Sequence, residues 1–132
     1  MRVEGWESLL AAHLERARDA EFAWGVNDCA LWSADWVAQA TGDDFAAPWR
    51  GRYASEEELH ALLAGTGIDL PADIADAVGL PRVEVPFARR GDVVLDPRGC
   101  LGVCDGLYSH FLMERGVTRL KTRLCTRAWA VG

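Results

Sequence analysis

Apolar positions in the first half of the chain recur at three- and four-residue steps. Trp6, Leu9, Leu10, His13, Leu14 and Ala17 form one stripe, which predicts an amphipathic helix from about Glu4 to Ala20. After a break at Glu21–Val26, Asn27 or Asp28 can cap a second helix running from Cys29 to about Thr41. That segment is apolar on most sides, with Asp35 and Gln39 as its chief polar members, so it should be the buried central helix. Gly42 stops it, and Asp43 to Tyr53 reads as a loop. Ser55-Glu56-Glu57-Glu58 is a capping box that opens a third helix through about Ala64, and a short helix spans Ala72 to Val78.

From Val83 onward the pattern changes to short β-rich runs divided by Gly, Pro and Asp: Val83–Val85, Asp92–Leu95, Cys100–Cys104, Tyr108–Met113, Val117–Lys121 and Ala128–Val131. Helices first and strands afterwards, without alternation, predict an α+β domain with a small antiparallel sheet.

Length and charge narrow the picture. The chain has 132 residues, 50% hydrophobic and 26% charged, which suits one domain over residues 1–132. Lys plus Arg number 14 against 20 Asp plus Glu, giving a net charge of −6 with no basic cluster, so a nucleic-acid partner is not expected. No apolar run approaches the ~20 residues of a membrane span, and the N-terminus lacks the layout of a signal peptide. Neither a membrane partner nor export is expected, and the chain reads as cytoplasmic at synthesis. The six Trp are enough bulk for a substantial small core.

Four cysteines, Cys29, Cys100, Cys104 and Cys125, form no C-x-x-C pair. On a strand, the Cys100 and Cys104 alpha carbons would lie ~13 Å apart, too far for a disulfide or a shared metal. Neither a metal nor another cofactor is called for, and a four-thiol metal domain remains a competing class that bound zinc would reveal. Asp43-Asp44 and Glu56–Glu58 are acidic, but the triple Glu is explained by the favourable field at a helix N-terminus. Cys29 is the residue with chemical promise. At the first turn of a helix, backbone N–H groups and the helix dipole lower a thiol pKa from ~8.5 toward neutrality. The plainer reading of Cys29 is a small apolar residue on an apolar helix.

The segment Phe22-Ala23-Trp24-Gly25-Val26-Asn27-Asp28-Cys29-Ala30 resembles the nucleophile segment of NlpC-type cell-wall peptidases, compact papain-fold enzymes. Arg90-Gly91-Asp92-Val93-Val94 looks like that family's Arg-Gly-Asp-Leu-Val strand start, and Leu101-Gly102-Val103 with Gly106 looks like its Val-Gly-Ile strand and hairpin turn. A closer resemblance is to an uncharacterised family of phage and prophage proteins often found near tail genes. Its recurring elements appear here as Phe22 to Cys29, Thr41-Gly42-Asp43-Asp44, Arg50-Gly51-Arg52-Tyr53 and Ala128-Trp129. The resemblance implies a papain-like fold of N-terminal helices packed on a small sheet or half-barrel. It also implies Cys29 as the nucleophile of a thiol hydrolase acting on peptidoglycan peptide amides.

Two positions depart from the peptidase pattern. The family's catalytic His falls at Cys100, and its hydroxyl-bearing Tyr falls at Phe22. Losing the imidazole forfeits a term worth ~10²–10⁴ in rate. His110 is a candidate surrogate base. If Cys104 faces Tyr108 in a hairpin, Gly102 pairs with His110, and His110 shares a sheet face with Cys100, diagonally ~7–8 Å away. His13 and His60 read as packing or surface residues, and Asp28 as a cap or structural hydrogen-bond partner, with Trp24 and Phe22 as supporting aromatics.

Cys100 opposite Cys29 also admits a redox-responsive pair, a reading that a reducing compartment opposes. Trp49 and Tyr53 are expected to be exposed and to line a cleft or a subunit contact. Arg119, Lys121, Arg123 and Arg127 are expected to be a solvated face. Two functions compete: an NlpC-like thiol hydrolase of phage or prophage origin, and a papain-fold phage tail or assembly component that has lost its base. The second implies phage tail proteins as partners and a virion-associated location.

Overall fold

A computed structural model describes all 132 residues. Helix α1 (Trp6–Ala17) begins after Gly5, whose left-handed φ of 79° turns the chain into the helix, and it buries Leu10, His13 and Ala17 against α2. Helix α2 (Cys29–Thr41) has the predicted bounds and is buried at Ala30, Leu31, Trp32, Ser33, Ala34, Trp36, Val37 and Ala40. A helix with so little polar surface must be enclosed, and the chain wraps it with α1 and the sheet. Helix α3 (Glu56–Ala64) opens on the predicted capping box: Glu58 N–H donates to Ser55 Oγ at 3.1 Å, and the Glu58 carboxylate reaches back to the Ala54 N–H at 3.0 Å. A 3₁₀ turn (Pro71–Asp73) leads into the one-turn helix α4 (Ile74–Ala77). None of these helices is long and apolar enough to cross a membrane.

Six strands, β1 (Arg82–Val83), β2 (Val93–Leu95), β3 (Leu101–Cys104), β4 (Tyr108–Met113), β5 (Gly116–Lys121) and β6 (Arg127–Trp129), form one antiparallel sheet in the order β1-β6-β2-β3-β4-β5. The fold class is α+β, with helices and strands segregated along the chain. Val93, Leu95, Leu101, Val103, Leu112 and Trp129 meet the helices in the main core. The opposite face carries a smaller cluster of Val94, Cys104, Phe111, Cys125 and Ala128, covered by Val83, Val85, Ala88 and Leu120. Both faces of β2 and β3 are therefore dry, and these short strands read as unbroken apolar runs.

Asp92 ties the sheet to both chain ends. Its buried carboxylate receives the Arg2 guanidinium at 2.9 Å, the Arg89 N–H at 2.9 Å and the Val131 N–H at 3.2 Å, while Arg2 Nε donates to the Val131 carbonyl at 2.7 Å. A buried carboxylate is tolerated only when it is paired and hydrogen-bonded in this way. The neighbouring Gly91 carbonyl accepts from Trp36 Nε1 at 2.8 Å, which docks α2 onto the start of β2.

Three expectations are corrected. The β3–β4 hairpin turns on two residues, Gly106-Leu107, with the Asp105 N–H donating to the Tyr108 carbonyl at 2.8 Å. The register is thereby Cys104 opposite Ser109 and Val103 opposite His110, one residue away from the predicted pairing, which moves His110 to the other face of the sheet. Trp49 and Tyr53 are buried, at 7% and 5% exposure, because the loop after α2 folds back over that helix's first turn rather than standing away from it. Arg127 is not part of a solvated face, since its guanidinium pairs with Asp73 at 3.1 Å and Asp76 at 3.7 Å.

Candidate active site

The loop before α2 is built to present Cys29. Ala23 and Asn27 form a bridge, and Phe22 and Trp24 pack edge to face with centroids 5.0 Å apart. Gly25 has a φ of 79°, and a side chain there would collide with the Tyr53 carbonyl. Asp28 then caps the helix. Its fully buried carboxylate accepts the Leu31 N–H at 2.9 Å and the Gly25 N–H at 3.1 Å, and Tyr53 donates its hydroxyl to the same Oδ2. Burial and the Asp28 contact push the Tyr53 phenol well above its ordinary range. Asp28 thus holds the loop, the helix start and the following loop together, with both oxygens committed to that task.

Cys29 occupies the first helical position. The N–H groups of Cys29 and Ala30, which have no helical carbonyl to bond, find no acceptor within the chain. Across from them stands Cys100, held by the turn between β2 and β3. The buried Asp96 organises that turn: Oδ1 accepts the Arg98 and Cys100 N–H groups, each at 2.9 Å, and Oδ2 accepts Arg98 Nε at 2.9 Å and Nη2 at 2.7 Å. Cys29 and Cys100 line the same cleft, are both free thiols, and lie close enough to perturb each other's ionisation.

The expected acidic Cys29 is not what this geometry yields. Its pKa is raised well above the ordinary thiol value, first by donating its S–H to Cys100, then by burial, the nearby Cys100 charge and the Asp28 carboxylate. The Leu101 N–H, directed at the Cys29 sulfur, pulls the other way without winning. Cys100 moves down, because the Cys29 S–H stabilises its thiolate and Arg98 lies nearby. The helix terminus favours a thiolate, but at this position a partner sulfur and a capping carboxylate outweigh it. The two thiols titrate as a coupled pair, with Cys29 moved up and Cys100 moved down.

Both sulfurs open onto a cleft of about 210 Å³ whose lining includes Trp24, Ala30, Leu59, Leu70, Pro71 and Ala72. Arg98 and Gly99 close one side, and α3 contributes Glu56 and His60, whose Nε2 lies 3.8 Å from Glu56 Oε1. Small size, an apolar lining and a few polar groups suit one side chain of a peptide-like ligand.

The sequence-predicted residues separate into two groups. Asp28, Cys29, Cys100 and Trp24 come together at the cleft, while Phe22 supports Trp24 from beside it. His110 does not join them. It pairs with Val103, three residues or roughly 10 Å along β3 from Cys100, and lines a separate groove with Leu14, Arg18, Arg90 and Arg119. Burial lowers its pKa, and Asp105, 3.8 Å from Nε2, opposes that shift. The ground for treating His110 as a surrogate base was the register, and the register differs.

His60, read from sequence as packing or surface, is the imidazole that lines the Cys29 cleft. Its signal was the turn that the Glu56–Glu58 cap gives α3, but only the tertiary fold brings that helix alongside α2. Tyr53 and Asp96 were also missed. Tyr53 lay within the quoted Arg-Gly-x-Tyr pattern, whereas nothing local marked Asp96. His13 is buried, stacked on Trp32 with centroids 4.7 Å apart and bonded to the Trp32 carbonyl at 3.2 Å, and burial lowers its pKa to about 4. Cys104 and Cys125 lie in the small core on the other sheet face, against which Cys100 also packs, and neither lines the Cys29 cleft.

No curated protein and no solved structure matches the chain. A family model described as a domain of unknown function, DUF6950, matches residues 1–131, and the chain belongs to that family.

Proposed function

We propose that the chain is a papain-like, NlpC-type thiol hydrolase of phage or prophage origin, acting on an amide of a peptidoglycan peptide with Cys29 as nucleophile. The observation that supports this reading is the placement of Cys29: the first turn of a buried central helix, in a cleft that it shares with Cys100, the position where NlpC-type peptidases carry their imidazole. Attack by the Cys29 sulfur on the carbonyl passes the thiol proton to the Cys100 thiolate. The unpaired Cys29 and Ala30 N–H groups receive the developing oxyanion, and Cys100 returns the proton to the departing amine. Water then hydrolyses the thioester. A thiol is a poorer proton shuttle than an imidazole at neutral pH, so turnover is slow.

The test is incubation of wild type, Cys29→Ala, Cys100→Ala and Cys100→His with peptidoglycan stem peptides, read by mass spectrometry. The reading expects cleavage by wild type, none by Cys29→Ala, less by Cys100→Ala, and a gain of about tenfold or more in Cys100→His, where the imidazole term returns. Wild type indistinguishable from Cys29→Ala, with no gain in Cys100→His, overturns it.

One observation favours the second reading, a papain-like tail or assembly component without catalysis. Neither thiol is hydrogen-bonded to an imidazole, and Cys29 is held protonated by its surroundings. On that reading the Cys29 helix persists as the core of the domain, phage tail proteins are the partners, and the protein resides with the virion tail. It predicts no peptide cleavage by wild type and co-purification with tail assemblies from a producing culture.

A further inference from the structure

We propose that Cys29 and Cys100 form a thiol–disulfide exchange site, which reacts with small-molecule disulfides and closes into a reversible intramolecular bond. The two cysteines come from unrelated elements, the first turn of α2 and the turn before β3, yet line one cleft and perturb each other's ionisation. Both face the same cleft, so a small disulfide reaches them without unfolding. The other two cysteines are buried in the smaller core, against which Cys100 also packs, and do not line this cleft. Cys29 is carried by a buried helix and Cys100 by a carboxylate-pinned turn, and the S–S bond of ~2.05 Å closes across the cleft that both line.

The roles of the two sulfurs differ. Cys100 is the more readily ionised and attacks first. Its thiolate displaces one half of the small disulfide as a thiolate and leaves a mixed disulfide on Cys100. Cys29 then loses its proton to the departing thiolate and attacks the Cys100 sulfur, releasing the second half. Two thiols of the chain become one disulfide, and the small disulfide, taking two electrons and two protons, becomes two thiols. On the hydrolase reading the same bond also removes the nucleophile, but the exchange itself does not rest on that reading.

The native full-length chain is incubated with glutathione disulfide over a range of ratios to glutathione, then acid-quenched for intact-mass and peptide analysis. The proposal expects a loss of two hydrogens, a link between the Cys29 and Cys100 peptides, and full reversal by excess glutathione. Cys29→Ser should trap a stable glutathione adduct on Cys100, formed faster than the adduct on the more buried Cys29 in Cys100→Ser. Circular dichroism of both variants establishes that they are folded. A link through Cys104 or Cys125, an unresolved mixed disulfide in wild type, or no reaction under conditions that oxidise a free dithiol overturns the proposal. None of these readouts requires hydrolysis, so the two ideas fail separately.

Discussion

Replacing Asp28 tests how the site is assembled. The carboxylate is fully buried and serves three donors: the Leu31 and Gly25 N–H groups and the Tyr53 hydroxyl. In Asp28→Ala the helix loses its cap, at about 1 kcal/mol. The Gly25 N–H and Tyr53 hydroxyl are left in a dry site without an acceptor, at about 1–3 kcal/mol each. The expected destabilisation is therefore about 3–7 kcal/mol, a large share of the roughly 5–15 kcal/mol that holds a domain of this kind. Asp28→Asn provides the graded comparison. Its amide oxygen keeps the Leu31 bond and Tyr53 turns to donate or accept as needed, but an amide NH₂ cannot accept from Gly25. About 1–3 kcal/mol is expected for that variant. Urea unfolding followed by the fluorescence of the buried Trp32 and Trp36, next to this turn, measures both. If both variants fell within about 0.5 kcal/mol of wild type, the range of a neutral surface change, Asp28 would not be the anchor described here.

Other predictions follow from the same contacts. Tyr53→Phe removes one donor while leaving Asp28 its two N–H partners, and should cost about 1–2 kcal/mol by urea unfolding. Gly102→Ala places a methyl against the His110 carbonyl and the Phe111 ring, and should lower stability by about 1–3 kcal/mol through overpacking between β3 and β4. His13 titrates at about 4 in the fold against 6.5 when unfolded, so the unfolded chain binds the extra proton. Stability should fall as pH drops from 6.5 toward 4 by about 3 kcal/mol, at roughly 1.4 kcal/mol per unit, and His13→Gln should flatten that limb of the urea-midpoint profile.

The legible parts of the fold were those governed by local pattern. The α2 bounds follow from Asp28, the apolar run and Gly42, and the α3 start follows from Ser55 and Glu58, because capping and periodicity act within a few residues. The β4 span was likewise readable. The register of β4 on β3 was not, since a two-residue turn at Gly106-Leu107 and a three-residue turn fit the same letters, and a single residue decides which face His110 takes. Tyr53 was misplaced because its burial depends on the buried acceptor at Asp28, a partner 25 residues away. For Cys29 the position was legible but its acidity was not. The helix dipole is visible in sequence, and so were Cys100 and Asp28 as neighbours, whereas the burial that makes their opposing effects outweigh the dipole enters only through the fold. Cys100 itself was noted as the replaced imidazole, and its placement on a turn pinned by Asp96 shows how the chain keeps that position filled at the cleft.

The most direct test of the coupling between the two thiols is the pH dependence of iodoacetamide alkylation at each cysteine, resolved by peptide mass spectrometry in wild type, Cys29→Ala and Cys100→Ala. The account predicts that Cys100 reacts at lower pH than Cys29 in wild type, that removing Cys29 moves the Cys100 profile to higher pH, and that removing Cys100 moves the Cys29 profile to lower pH. Profiles that stay in place when the partner thiol is removed, or a Cys29 that ionises before Cys100, would contradict it.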